Sequence, residues 1–201
     1  PHVDVYVPIE GETGFSNVVK LALSSKSENE LQTKIAETPI EGCISRNSNG
    51  DLQYDNPVIR TSKLDDIPSP YLTGIMDKFF DGKLTPMMQT NRGCPFTCTF
   101  CVDGLDTVQK VNSFSTERVK NELNYISQHV PKNTHSLHFS DLNFGMFPRD
   151  LEICDAINET KEKYQYPTKV LTTTGKNKKD KIIEAIKRLD GAMALTMSVQ
   201  S

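Results

Sequence analysis

Strand-like and helix-like segments alternate from Met87 to Ser201, and this alternation constrains the fold more than any other feature of the sequence. There are four β-rich segments: "PMMQTN", "SLHFSDLNFG", "KVLTTTG" and "AMALTMSVQ". Between them lie three segments whose apolar residues recur at helical spacing: "TERVKNELNYISQHV", "PRDLEICDAINETKEKY" and "KKDKIIEAIKRL". Such units imply parallel strands joined by right-handed crossovers. A complete eight-unit barrel takes roughly 250 residues. The sequence therefore predicts an α/β fold that is a partial (β/α) barrel of about four units.

A smaller unit and a connector precede this alternation. "VDVYVPIE" is β-rich, "GETG" ends it, and "FSNVVKLALSS" repeats apolar residues at helical spacing. Residues 37–86 contain a polar turn, "SRNSNGDLQYDN", and several prolines and glycines, so we expect limited structure there. We therefore divide the chain into residues 1–36, a connector at 37–86 and the partial barrel at 87–201. Because the sequence starts at Pro1 and ends on a strand pattern, we expect it to be a piece of a longer protein.

Three of the five cysteines, Cys94, Cys98 and Cys101, lie within eight residues, in the loop after the first strand of the alternation. An odd and clustered set favours metal or redox chemistry in a reducing compartment over a disulfide framework. The sequence also contains no apolar run near the roughly 18 residues that span a bilayer, and no signal-peptide pattern. We therefore expect a cytoplasmic protein that does not bind a membrane.

Closely spaced thiolates bind either Zn²⁺ or an iron-sulfur cluster. A structural zinc site takes four protein ligands, and neither Cys43, Cys154 nor any of the four histidines lies at the short offset that zinc knuckles use. A four-iron cluster held by three thiolates leaves one iron open to a small-molecule ligand. The cluster is the favoured interpretation, and a metal-stabilised knuckle is the alternative.

The pattern Cys-x-x-x-Cys-x-x-Cys, with Phe100 before the last cysteine, resembles the signature of the radical S-adenosylmethionine (radical SAM) enzymes. "VDVYVPIEGETGF" is similar to the last strand and helix of the Rossmann-like, cobalamin-binding domain that precedes many of these enzymes, and "LDDIPSPYLTG" to the link between the two domains. The resemblance implies the end of such a domain at residues 1–36 and the N-terminal part of a radical SAM barrel, of the TIM-barrel type, at 87–201.

The resemblance also implies an activity. A 4Fe-4S cluster on Cys94, Cys98 and Cys101 would reductively cleave S-adenosylmethionine to methionine and a 5'-deoxyadenosyl radical, for hydrogen abstraction or cobalamin-linked methyl transfer. The implied cofactors are the cluster and S-adenosylmethionine, with cobalamin as a third candidate. The cobalt-ligating motif Asp-x-His-x-x-Gly is absent from the sequence, so no cobalt ligand is named. The implied partners are a small-molecule substrate and an electron donor such as flavodoxin or ferredoxin; no nucleic acid is expected.

By position, the resemblance assigns further residues to cofactor binding. The end of the second strand would contact the methionyl amino group, and the fourth strand would place polar groups near the ribose and methionine. The end of the third strand supplies a further candidate. The alternative is ordinary polar decoration of strand ends. The residues so assigned are Phe100, Ser140, Asp141, Thr173, Ser198 and Gln200.

Two other functions are considered. A transfer RNA methylthiotransferase would share the cysteine loop, but it normally has a second cluster domain before that loop, and no further group of three cysteines precedes Cys94. A non-enzymatic, metal-stabilised binding module would contain the loop without the reaction. Stoichiometric zinc without iron would distinguish this module from the enzyme.

Overall fold

A computed structural model describes residues 3–57 and 59–195 of the chain. The described residues form two compact units, one ending at Ser62 and one beginning at Lys63. Among the helices described, none combines the length and the apolar character that crossing a membrane requires.

The first unit is a small antiparallel sheet with two helices. Its strands pair in the order β1-β2-β3, and its core contains Ile35, Ile40 and Cys43. The second helix was not predicted from the sequence; Ser27 caps it by accepting a hydrogen bond from the backbone N–H of Glu30 (3.2 Å). The elements are β1 (Val5–Tyr6), α1 (Gly11–Leu23), α2 (Glu28–Glu37), β2 (Cys43–Arg46) and β3 (Leu52–Asp55).

The segment expected to have limited structure contains a β-hairpin. The predicted polar turn joins β2 to β3, where Asn47 Oδ1 accepts hydrogen bonds from the backbone N–H groups of Asn49 and Asp51 (both 2.9 Å). Gly50 supplies the positive φ (85°) that this turn needs. Since a Rossmann sheet is parallel, the antiparallel pairing of this unit does not form one, and the Rossmann-like assignment of residues 1–36 stays a prediction.

The second unit has the predicted alternation of strands and helices. Its main sheet is parallel in the order β4-β7-β8, and Met193 adds a parallel bridge to Val170 on the far side of β8. The elements are β4 (Met87–Met88), β5 (Asn91–Arg92), β6 (Asn112–Ser113), α3 (Thr116–His129), β7 (Ser136–Phe139), α4 (Pro148–Tyr164), β8 (Lys169–Leu171) and α5 (Lys179–Arg188).

Each strand of this sheet lies beside the one that precedes it in the alternation, as is common for consecutive parallel strands joined by helices. The α/β class is therefore confirmed. The described strands form small sheets and do not close into a barrel. The core packs α3 and α4 against β7 through fully buried side chains, which include Leu123, Leu137, Phe139 and Ile157. The C-terminal part of the predicted fourth strand, residues 196–200, lies outside the described residues.

Candidate functional site

The cysteine loop begins where β4 ends, and a short antiparallel ladder closes its base. Strand β5 pairs with β6 through Asn91 with Ser113 and Arg92 with Asn112, and the Cys94 backbone N–H donates to the carbonyl of Val108 (3.2 Å). This ladder was not predicted, because two-residue strands leave no periodic signal.

Two glycines allow the backbone of the loop to fold closely on itself. Gly93 has φ of 104°, and a Cβ there would lie 2.5 Å from the carbonyl oxygen of Lys110. A Cβ on Gly104 would lie 2.5 Å from the carbonyl oxygen of Cys98. The Cys101 N–H donates to that same carbonyl (3.1 Å), so Cys98 and Cys101 occupy one tight turn.

The three thiols have different surroundings. Cys94 is buried, and its Sγ accepts a hydrogen bond from Nδ2 of Asn143 (3.3 Å). Cys98 and Cys101 are half-buried, and Nζ of Lys176, in the segment after β8, lies 3.9 Å from Cys98 Sγ. Residues that follow β7 and β8 thus contact the loop that follows β4.

The donor set of the loop fits an iron-sulfur cluster by its chemistry. All three cysteines are free, and thiolate is the ligand that such clusters use. Within residues 3–57 and 59–195, however, no three Cys, His, Asp or Glu side chains stand close enough together to hold a metal ion. The loop contains the donors without bringing the sulfur atoms together, and the ligand assignment stays a prediction.

Asp141 joins the ends of β4 and β7 beneath the loop. Its side chain is buried, and Oδ1 accepts a hydrogen bond from the backbone N–H of Thr90 (2.7 Å). Oδ2 accepts from the Thr90 hydroxyl and from Nδ2 of Asn91 (3.2 Å). Burial raises the pKa of Asp141, against the hydrogen bonds from Thr90 and Asn91 that lower it. In this arrangement the carboxylate positions the strand that leads into the cysteine loop.

The first turn of α4 supports the same junction. Arg149 donates from Nη1 to the carbonyl of Thr90 (3.0 Å) and from Nη2 to the carbonyl of Phe114 (2.6 Å). Asp150 accepts from the backbone N–H groups of Gly145 and Phe147 through Oδ2 (both 2.9 Å), while its buried Oδ1 has no hydrogen-bond partner among the described residues. Burial raises the pKa of Asp150 from 3.8 to about 6.

The other residues assigned to cofactor binding are placed as follows. The Ser140 hydroxyl is half-buried and donates to the carbonyl of Met88 (3.3 Å). Thr173 is exposed beyond the end of β8 and contributes its carbonyl to the N–H of Phe144 (3.0 Å). Phe100 is 74% exposed at the tip of the loop. No described contact brings these residues to the thiols. Ser198 and Gln200 lie outside the described residues.

Sequence reasoning missed several residues of the junction: Thr90, Asn91, Asn143, Arg149 and Asp150. Asn143 lies two residues after Asp141, which was predicted, so its place in the loop after β7 was the available signal. Thr90 donates its backbone N–H to Asp141, and the guanidinium of Arg149 donates to backbone carbonyls. Sequence gives no sign of contacts that involve backbone groups.

Comparison with known proteins shows which class of protein this chain resembles. A cobalamin-dependent radical SAM methyltransferase, TokK of Streptomyces tokunonensis, is 31% identical over 210 aligned residues that cover 100% of this chain. The 2-(S-pantetheinyl)-carbapenam-3-carboxylate methyltransferase of Streptantibioticus cattleyicolor matches to the same extent. An uncharacterized methyltransferase of Pyrococcus horikoshii, PH0819, is 32% identical over 73% of the chain. The chain spans 29% of the length of each of the first two proteins. No protein-family model matches the sequence.

Solved structures agree on the fold. The cobalamin-dependent S-adenosylmethionine radical enzyme OxsB, with aqua-cobalamin bound, superposes with a TM-score of 0.56 at 19% identity, over 92% of this chain and 25% of that one. OxsB with aqua-cobalamin and S-adenosylmethionine bound gives 0.54 over 83% of this chain and 22% of that one.

The predicted resemblance to radical SAM enzymes is confirmed. Within that class, the chain is related along its whole length to the cobalamin-dependent type, and its named relatives are methyltransferases, which are enzymes.

Proposed function

We propose that this chain is the cluster-binding part of a cobalamin-dependent radical SAM methyltransferase. The observation that carries the proposal is the loop with Cys94, Cys98 and Cys101 at the C-terminal edge of parallel strands, in a chain 31% identical over its whole length to a methyltransferase of that name. Ligands in open α/β sheets bind at this edge, where the strand-end loops meet. A small-molecule substrate and an electron donor such as flavodoxin or ferredoxin complete the proposal.

The three thiolates would hold a 4Fe-4S cluster. With S-adenosylmethionine bound, that cluster would supply the 5'-deoxyadenosyl radical chemistry of the class. The residues of the chain would provide placement: Gly93 and Gly104 permit the tight loop, and Asp141 and Arg149 hold its base. Phe100 at the loop tip and Ser140 beside Met88 remain proposed contacts of S-adenosylmethionine.

Asp141 and Thr173 also remain proposed contacts of S-adenosylmethionine, but only one of the two side chains would have to give up existing hydrogen bonds. The carboxylate of Asp141 already accepts hydrogen bonds from Thr90 and Asn91, so contact with a methionyl ammonium would require it to share or exchange these donors. Thr173 is exposed and needs no such exchange. Ser198 and Gln200 belong to the proposal on the resemblance alone.

The barrel and the cytoplasmic location are also proposals. The sequential order of β4, β7 and β8, with Met193 next in line, supports a barrel that further strands would continue. The five cysteines are all free, which suits a reducing compartment.

Anaerobic reconstitution tests the proposal. We expect about four iron and four sulfide per chain, and 5'-deoxyadenosine after reduction with S-adenosylmethionine present. Replacing Cys94, Cys98 or Cys101 by Ala should abolish both. Cys43→Ala, in the first unit, is the matched control and should retain them.

The opposite results would identify the other functions. Protein that takes up no iron and makes no 5'-deoxyadenosine would overturn the enzyme proposal. Stoichiometric zinc without iron, in protein purified without oxygen, would favour the metal-stabilised binding module. The comparisons lend no support to the transfer RNA methylthiotransferase, since the named relatives are cobalamin-dependent or pantetheinyl-carbapenam methyltransferases.

A further inference from the structure

We propose that Asn143 is a positioning residue for the first cysteine of the loop. Its side-chain amide donates an N–H···S hydrogen bond to Cys94, and in the loaded protein this bond would orient the sulfur and raise the reduction potential of the cluster. The effect on the reduction potential depends on the function proposed above, whereas the hydrogen bond between Asn143 and Cys94 does not.

The contact between Asn143 and Cys94 is a buried hydrogen bond with ordinary geometry. Nδ2 of Asn143 lies 3.3 Å from Sγ of Cys94, within the range for a hydrogen bond to sulfur. Asn143 is 2% exposed and Cys94 is 6% exposed, so water does not compete for either atom. The two residues are 49 apart in sequence, so the tertiary fold creates the pair.

An amide at this buried position needs an explanation. Burying a polar group costs free energy unless its hydrogen bonds are made. Within the part of the chain that the structure describes, Asn143 Oδ1 is buried without a hydrogen-bond partner, so the side chain uses its donor on the cysteine and leaves its acceptor unused. A residue chosen for packing alone would be apolar at such a site, whereas the N–H···S contact gives the amide a reason to be there.

The backbone around Asn143 fixes the direction of the amide. Two residues before it, Asp141 is held by Thr90 and Asn91. Immediately after it, the N–H of Phe144 donates to the carbonyl of Thr173 (3.0 Å), and the ring of Phe144 is fully buried against Phe139. The donor is therefore held on both sides before any metal binds.

Hydrogen bonds to the sulfur atoms of an iron-sulfur cluster are among the factors that set its reduction potential, and donors next to metal ligands also orient them. An N–H donor withdraws electron density from the thiolate and favours the reduced cluster. Asn143→Leu, which keeps the side chain branched at Cγ but has no donor, should therefore make the cluster harder to reduce. Asn143→Asp, which places an oxygen where the NH₂ group stands, should shift the potential further the same way.

The first experiment measures the reduction midpoint of the reconstituted cluster by electron paramagnetic resonance. At a fixed potential near the wild-type midpoint, we expect the ratio of reduced to oxidised cluster to fall about three- to tenfold in Asn143→Leu, where tenfold corresponds to about 59 mV for one electron. Asn158→Leu is the matched control, because its amide donates to the carbonyl of Arg188 (2.7 Å), away from the loop. An unchanged midpoint in Asn143→Leu with full iron content would overturn the effect on potential.

The second experiment needs no metal and no variant of Asn143. In the metal-free protein, the side-chain amide resonances of Asn143 should shift when Cys94 is replaced by Ala, and those of Asn158 should not. Unshifted Asn143 resonances would overturn the contact, whether or not Asn143→Leu holds a cluster. If wild-type protein takes up no iron, the proposed function fails, and these resonances still decide whether Asn143 binds the Cys94 sulfur.

Discussion

Replacing Asp141 by Ala should weaken the second unit more than most single substitutions do. The change removes the acceptor for the backbone N–H and the hydroxyl of Thr90 and for Nδ2 of Asn91, and both residues are buried. A buried donor left without a partner costs about 1–3 kcal/mol. Nδ2 of Asn91 also donates to the Thr90 hydroxyl oxygen (3.2 Å), so the loss falls mainly on the two Thr90 donors. Together with the lost volume of the carboxylate, this loss should lower the free energy of unfolding by about 3–5 kcal/mol.

Asp141→Asn separates hydrogen bonding from charge. Burial raises the pKa of Asp141, because it disfavours the charged form of the carboxyl group. An Asn side chain carries no charge, and its amide oxygen can replace one of the two acceptor oxygens. We expect Asn to cost at least about 2 kcal/mol less than Ala, because it leaves fewer donors unsatisfied. Urea unfolding followed by circular dichroism measures both values. An Ala variant within about 1 kcal/mol of wild type would refute the reasoning, because buried unsatisfied donors cost at least that much.

Three further predictions concern the same region. Since burial raises the pKa of Asp150 to about 6, the folded state binds a proton that the unfolded state has lost; this carboxyl should lower wild-type stability by about 2 kcal/mol between pH 4 and pH 6, and Asp150→Asn should lack this contribution to the slope in urea titrations. Gly104→Ala should disrupt the loop and lower iron uptake at least about fivefold, because its Cβ would lie 2.5 Å from the Cys98 carbonyl oxygen; Gly11→Ala, whose Cβ meets nothing within 4 Å, should leave iron uptake unchanged. Arg149→Met should lower the free energy of unfolding by about 2–4 kcal/mol, because it removes the hydrogen bonds from a charged group to the carbonyls of Thr90 and Phe114, although the Thr90 carbonyl keeps the bond from the N–H of Phe114 (3.0 Å). An unchanged urea midpoint would contradict this.

The sequence by itself was enough for the class of the fold and for the candidate chemistry. Apolar residues at strand and helical spacing predicted the parallel alternation of the second unit, because that periodicity records which face of each element is buried. The spacing of Cys94, Cys98 and Cys101 was readable for a similar reason: ligands of one cluster come from one short loop, so their separation is local. Both features can be read from the linear sequence, and the class of enzyme that they indicate agrees with the named relatives.

Only the tertiary structure decided what surrounds the loop. Asp141 had been assigned to cofactor binding, yet its carboxylate lies buried against Thr90 and Asn91, about fifty residues away in sequence. Asn143 meets Cys94 across a similar separation. Such partners are chosen by the packing of β4 beside β7, and two-residue strands and single polar contacts have no period for a sequence to display. The physical reason is that burial and hydrogen-bond partners depend on neighbours in space, whereas sequence patterns record neighbours along the chain.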